Sequence, residues 1–284
     1  MRHYLLLDPQ RHDPALADEP RRRHALEALA KASPPGVYLL GGAADERPPE
    51  ARVRLYAVEK GDTLWQASQR WAATGKGRLS VCGWLESPLA LSPLGRHLDR
   101  LMIQSHPEQG RVHFRFFDPR TLHHLALILT PHQRASLLGP VTRWEYVDIN
   151  GERQVLEHHG ALTTRFRLEA DQWASIERLA RINLCLRGWQ HNVAPAPLPR
   201  DASRRVEHFV RMAEGYGLDE EAELIAFVLH GLATRARFDR HPLMAEVLRQ
   251  CRTRGMNYLT LTDGFSESEW ARITQESMEE DMKG

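Results

Sequence analysis

The sequence predicts two lobes: an α/β (α+β) N-terminal lobe with a mixed sheet flanked by helices, then a mainly α-helical C-terminal lobe. Short apolar runs alternate with segments of helical period through the first half, the pattern of a sheet layer covered by helices. From Leu168 onward the helical period takes over. Near 193–199 the alternating Pro195, Pro197 and Pro199 forbid a helix and predict an extended connector. The expected boundaries are 1–160 and 161–284, and with 42% hydrophobic residues the chain can fill a sizeable core.

In chain order, residues 3–7 have the apolar density of a strand, and Asp13-Pro14 can start a helix carrying Leu16, Leu26 and Leu29 that Ser33-Pro34-Pro35-Gly36 stops. Residues 37–40 and 53–58 are further strands. Gly61-Asp62-Thr63 then turns the chain into a helix bearing Leu64, Trp65 and Trp71. Ser92-Pro93 opens a helix whose Leu94, Leu98 and Leu101 make one apolar stripe.

Residues 112–117 read as a core strand, with Val112, Phe114 and Phe116 on one side and His113, Arg115 and Phe117 on the other. The strand is expected to enter a helix almost without a loop, with Asp118 as N-cap and Pro119 at the first helical position. The guanidinium groups of Arg115 and Arg120, close to a buried strand end, need a carboxylate or carbonyl, and Asp118 is the candidate partner. Thr130-Pro131 begins a short helix ending near Gly139-Pro140. Residues 141–149 and 153–156 flank Asn150-Gly151, the strongest hairpin signal in the chain. In the second lobe Trp173, Ile176, Leu179, Ile182 and Leu186 form one amphipathic run. Helices are expected over 203–216, 219–236 and 241–255, and a capping box of Ser266 with Glu269 starts the last one.

The 38 Lys and Arg nearly cancel the 37 Asp and Glu, leaving a formal net charge of +1 with 15 neutral His. No whole-protein field then attracts nucleic acid or membrane, and a partner must be read by a local surface. The basic run Arg21-Arg22-Arg23 reads as a solvated helix face, and Asp219-Glu220-Glu221 suits a helix start. Cys82, Cys185 and Cys251 are odd in number and far apart, which fits reduced thiols rather than disulfides or a zinc site. Tyr4-Leu5-Leu6-Leu7 runs straight into Asp8-Pro9, too short an apolar stretch for a signal peptide or membrane helix. A reducing cytoplasm is the expected compartment. The sequence has no H-E-x-x-H, G-x-S-x-G, Walker A or G-x-G-x-x-G motif, which excludes the more readable enzyme classes, and no cofactor or metal is expected. Adjacent histidines such as His123-His124 and His158-His159 make a poor metal site; on a helix such neighbours diverge by about 100°.

Phe114-Arg115-Phe116-Phe117-Asp118-Pro119-Arg120, followed by Leu122, Thr130-Pro131-His132-Gln133, Gly139-Pro140 and Trp144, resembles the signature of the Tap/TEC effector adaptor-chaperones of type VI secretion, long carried as a domain of unknown function. Tyr4-Leu5-Leu6-Leu7-Asp8, Glu86-Ser87 and His97-Leu98 sit in corresponding places, so the resemblance covers roughly residues 3–150. It implies a non-enzymatic protein that binds a toxic effector in the producing bacterium and helps load it onto the VgrG spike. No catalytic residue comes with it. Phe114, Phe116, Phe117, Asp118, Pro119 and Trp144 are expected to mark the fold, and Arg115 and Arg120 are the candidates for partner contact.

Two alternatives accompany this expectation. The segment 56–71, with Gly61-Asp62-Thr63-Leu64-Trp65, resembles the opening of a peptidoglycan-binding LysM module, but Gly75-Lys76-Gly77-Arg78 and Val81-Cys82-Gly83-Trp84 depart from that pattern. An unrecognised enzyme would use Asp118, His123 or His124 with Arg115 or Arg120, provided that they converge in a cleft.

Overall fold

The apolar run at the N-terminus forms β1 (Arg2–Leu7), an interior strand whose Leu5 and Leu6 are fully buried on opposite faces. It pairs with β3 (Arg54–Val58) along one edge and with β4 (Val81–Ser87) along the other. With β2 (Val37–Leu39), β7 (Arg143–Val147) and β8 (Arg153–Glu157) these make a six-stranded sheet of order β2-β3-β1-β4-β7-β8. Each pairing is antiparallel. The structure is a computed structural model, described over residues 1–9, 36–42, 46–73, 80–158, 165–192, 198–234 and 237–281. The chain divides into two compact units, Met1–Trp173 and Ala174–Gly284. The first is α+β and the second mainly helical.

Helix α1 (Thr63–Ala73) covers one face of the sheet, burying Leu64, Trp65 and Ala72 against Leu5, Tyr56, Val58 and Trp84. Asp62 starts it by accepting the Trp65 amide at 2.6 Å, and the Trp84 indole donates to Ser68 Oγ at 2.8 Å. Helix α2 (Leu91–Met102) carries the expected stripe, with Leu94, Leu98 and Leu101 buried.

Strand β4, next to the centre of the sheet, is absent from the strands expected from sequence. Its Gly83 has φ +141°, and a Cβ there would lie 2.5 Å from the Glu145 carbonyl oxygen and 2.8 Å from Trp144 Cδ1. The missing side chain lets the buried Trp144 indole lie over β4 and donate to the Cys82 carbonyl at 3.2 Å. A glycine at the middle of a strand weakens every propensity signal around it.

The core strand expected over 112–117 is corrected. β5 (Ile103–His106) and β6 (Gly110–His113) form a separate two-stranded ribbon, and the chain leaves it after Phe114, whose amide donates to the Met102 carbonyl at 2.7 Å. Residues 116–118 are a turn, closed by the Asp118 amide on the Arg115 carbonyl at 3.1 Å. Strand alternation would expose Phe117, yet Phe114, Phe116 and Phe117 are all buried. Burying an aromatic side chain is worth about 1.5–3 kcal/mol, whereas strand propensities span only about 1 kcal/mol, so the turn that buries three rings prevails.

Helix α3 (Pro119–Ile128) follows with Asp118 as its N-cap, as expected. α4 (Pro131–Leu138) opens on a reciprocal capping box between Thr130 and Gln133 and ends at Gly139, with φ +53°. The β7–β8 hairpin forms around Asn150-Gly151. Asp148 Oδ1 accepts the Asn150 amide at 2.8 Å and the Glu152 amide at 3.0 Å, which fixes the connection.

The single run expected from Trp173 to Leu186 is also corrected, because it breaks at Arg178 into α5 (Ala170–Glu177) and α6 (Leu179–Asn192). Ile176 and Leu179, on either side of the break, are only half-buried, so no continuous apolar stripe holds one straight helix together. In the second unit α7 (Ala202–Gly215) and α8 (Glu221–Thr234) pack Phe209 against Gly231, where a Cβ would come within 2.9 Å of Phe209 Cγ. Phe227, Phe238 and Tyr258 complete this core. α9 (Pro242–Arg254) ends on left-handed Gly255, a single turn α10 (Tyr258–Thr262) follows, and Ser266 and Glu269 form the expected box at α11 (Glu267–Asp281).

The helix expected over 13–29 with Arg21-Arg22-Arg23, the segment Gly75-Lys76-Gly77-Arg78, His159 and most of the proline connector lie outside the described residues. No helix among the described residues is long and apolar enough to cross a membrane. The three cysteines are free thiols, with Cys82 and Cys185 buried.

Candidate functional site

The turn at 114–118 places its charged residues in two arginine–carboxylate pairs. Asp118, the partner expected for the two arginines, is that of Arg120 alone, and Arg115 pairs instead with Asp8, at the end of β1. Asp8 is fully buried, its amide held by the Ser80 carbonyl at 2.8 Å, so the pair ties the turn to the sheet. The Arg115 guanidinium also lies 5.3 Å from the Phe117 ring centroid. Asp118 accepts the Arg120 amide at 3.0 Å, and the Arg120 side chain grips the same carboxylate through Nε at 3.0 Å and a terminal nitrogen at 2.8 Å. That fork neutralises a carboxylate that is almost fully buried.

The apolar residues complete the anchor. The Phe116 ring meets Trp144 edge-on at 6.0 Å and Phe117 at 5.5 Å, and Phe114 meets Trp173 edge-on at 5.7 Å. Cys82 lies close to both carboxylates, and burial first, then Asp8 and Asp118, push its thiol well above the ordinary range. It stays protonated.

The other segments of the sequence signature gather at a second place. Ser87 Oγ donates to the Pro140 carbonyl at 2.9 Å, and the Thr142 amide donates to the Glu86 carbonyl at 2.9 Å. His97 Nε2 lies 3.3 Å from the Leu137 carbonyl, which can only accept, so this nitrogen carries the proton. Burial lowers the His97 pKa and keeps the ring neutral. The ring sits over Gly139, where a Cβ would approach Nε2 to 2.9 Å. Glu86-Ser87, His97 and Gly139-Pro140 thus support one another across β4, α2 and the α4–β7 connection. They border a cleft of about 1160 Å³ whose lining includes Arg100, Arg111, Arg165 and His158.

Of the residues singled out from sequence, Phe114, Phe116, Phe117, Asp118, Pro119 and Trp144 are buried in one anchor. Arg115 and Arg120 adjoin it, partly exposed, and each is engaged by a carboxylate of the fold. His124 is buried on α3, while His123 is half-buried, with burial lowering its pKa and Asp148 opposing. Among the described residues no group of three or more His, Cys, Asp or Glu could hold a metal ion. The LysM-like segment does not stand apart, because β3 is hydrogen-bonded along both edges, to β1 and β2. Sequence reasoning missed Asp8 as the partner of Arg115, Gly83 as the seat of Trp144, and the arginines of the cleft. Asp8 carried a signal, since it closes the N-terminal stretch that resembles the family.

An antiparallel sheet, an aromatic turn tied to it by the Arg115–Asp8 pair and a helix start closed by the Asp118–Arg120 pair define the first unit as an α+β domain with a built-in anchor. Residues 3–136 match the model of a family described as a domain of unknown function, DUF4123. No curated protein and no solved structure matches the chain.

Proposed function

We propose that the chain is a non-enzymatic adaptor-chaperone of type VI secretion, which binds a toxic effector in the cytoplasm and helps load it onto the VgrG spike. The observation that carries this is the DUF4123 match over residues 3–136, which spans the anchor built on Phe114, Asp118 and Asp8. The resemblance of these same residues to the Tap/TEC adaptors supplies the function.

The chemistry of the anchor fits recognition better than turnover. Asp118 is spent on capping α3 and on holding Arg120, and Arg115 is spent on Asp8. An enzyme built on these groups would first have to break both pairs. In the adaptor mechanism the protein covers an apolar segment of its cargo, keeps it soluble and yields it when the loaded spike assembles.

Co-expression with the effector encoded beside it tests this. A complex that survives size-exclusion chromatography and then transfers the effector to VgrG is expected. Two well-folded proteins that elute separately would refute it.

A further inference from the structure

We propose that the cleft between α2 and the Gly139-Pro140 turn is the docking groove for an acidic, partly apolar stretch of a partner polypeptide. This rests on the adaptor reading and names the chemistry of its contact.

Charge carries the inference. Arg100, Arg111 and Arg165 are exposed at the cleft, and among the described residues none is ion-paired with a carboxylate. Other arginines of the same unit are matched: Arg115 with Asp8, Arg120 with Asp118, Arg143 with Glu157 and Arg153 with Glu145. Asp99, the one carboxylate of the lining among the described residues, is already engaged, taking the Tyr38 hydroxyl and the Gly41 amide at 2.7 Å each. Three guanidinium groups thus share one concavity in a chain of formal net charge +1. Their planar forks fit carboxylates in a bidentate manner.

The lining has a second open group. His158 Nε2 is buried and has no hydrogen-bond partner among the described residues, a condition that a bound acceptor or donor would relieve. The lining also includes Pro88, Leu89, Pro93 and Pro140, apolar residues whose prolines offer no amide donors. The Ser87–Pro140 and His97–Leu137 hydrogen bonds hold Pro140 and His97 in place before any partner binds, which lowers the ordering cost on that side of the cleft.

The lining bears on the occupant. At about 1160 Å³, against roughly 300–1,000 Å³ for small-molecule sites, the cleft has room for a stretch of polypeptide. A single-stranded nucleic acid would want exposed aromatic rings to stack on, whereas Phe166, the one Phe, Tyr or Trp of the lining among the described residues, is buried against Phe114.

The test compares the full-length wild-type chain with the triple variant Arg100→Glu, Arg111→Glu, Arg165→Glu, whose fold is checked by circular dichroism and melting. Fluorescence anisotropy follows a fluorescein-labelled peptide of alternating Glu and Leu, its Lys-Leu counterpart and a single-stranded DNA oligonucleotide. Wild type is expected to bind the Glu-Leu peptide with marked salt dependence and to ignore the Lys-Leu peptide. The variant should bind it at least tenfold more weakly. Should the triple variant lose its fold, Arg111→Glu with Arg165→Glu alone is expected to show the same loss in smaller measure. No binding by wild type, equal binding by a folded variant, or preference for the DNA would overturn the proposal. Capture of the effector by wild type and charge-reversed chain alike would leave the adaptor function standing and remove this groove from it. Failure of wild type to capture the effector would refute the adaptor function, and the peptide result would still decide the groove.

Discussion

Gly83 and Trp144 offer the sharpest test of how the first unit is held together. In Gly83→Ala the new methyl would sit 2.5 Å from the Glu145 carbonyl oxygen, a backbone atom fixed in β7, and 2.8 Å from Trp144 Cδ1, at a backbone φ of +141°. Overpacking costs about 1–3 kcal/mol. A side chain forced into this φ region adds about 1–3 kcal/mol. The expected loss is therefore about 2–6 kcal/mol, a large part of the roughly 5–15 kcal/mol that stabilises an ordinary domain. Trp144→Phe alone gives up the hydrogen bond to the Cys82 carbonyl and leaves a small void, about 2 kcal/mol together. Because one of the two clashes is with the indole, the double variant should be less destabilised than the sum of the singles, by about 1 kcal/mol. Urea unfolding followed by tryptophan fluorescence measures all three. A Gly83→Ala midpoint equal to wild type, or strictly additive losses, would refute this account of β4.

Three further outcomes follow from the same geometry. Asp118→Ala should cost about 2–4 kcal/mol, combining a lost cap with an abandoned Arg120 fork, while Asp118→Asn keeps an acceptor for the Arg120 amide and should lose about half as much in the same unfolding assay. Arg115→Met should destabilise by about 2–4 kcal/mol, since it removes a cation from the buried Asp8 carboxylate, and the double variant Asp8→Leu, Arg115→Met should recover part of that loss. In the second unit, burial pushes the His230 pKa from 6.5 down to about 4, and its Nδ1 shares a hydrogen bond of 2.9 Å with the Tyr258 hydroxyl. The unfolded chain then binds the proton more readily, so this contribution is complete above about pH 6.5 and is lost as the pH falls toward about 4. It amounts to at most about 3 kcal/mol, and in His230→Gln the corresponding fall in melting temperature across that window should flatten.

Local devices were legible in the sequence because each acts within a few residues. Asp118-Pro119, Thr130-Pro131, the Ser266 and Glu269 pair and Asn150-Gly151 all do in the structure what their residue types dictate. What was misread depends on residues brought together from afar. Strand propensity and alternation at 112–117 gave way to a turn that buries both Phe116 and Phe117, a choice made by the Trp144 and Phe114 rings beside them. β4 escaped notice because Gly83 makes sense only with Trp144 lying across it. Arg115 finds Asp8 across 107 residues, and nothing near Arg115 announces that partner. Arg100, Arg111 and Arg165 are unremarkable one by one, and only the fold places them in one cleft.

The central claim is that this chain acts by holding a secreted effector rather than by turning over a substrate. Isothermal titration of the purified chain with a catalytically silenced form of the effector encoded beside it tests that most directly. The account predicts saturable binding with a fixed stoichiometry, and an effector that stays soluble only while bound. Two folded proteins that give no heat of binding, with the effector equally soluble alone, would contradict it.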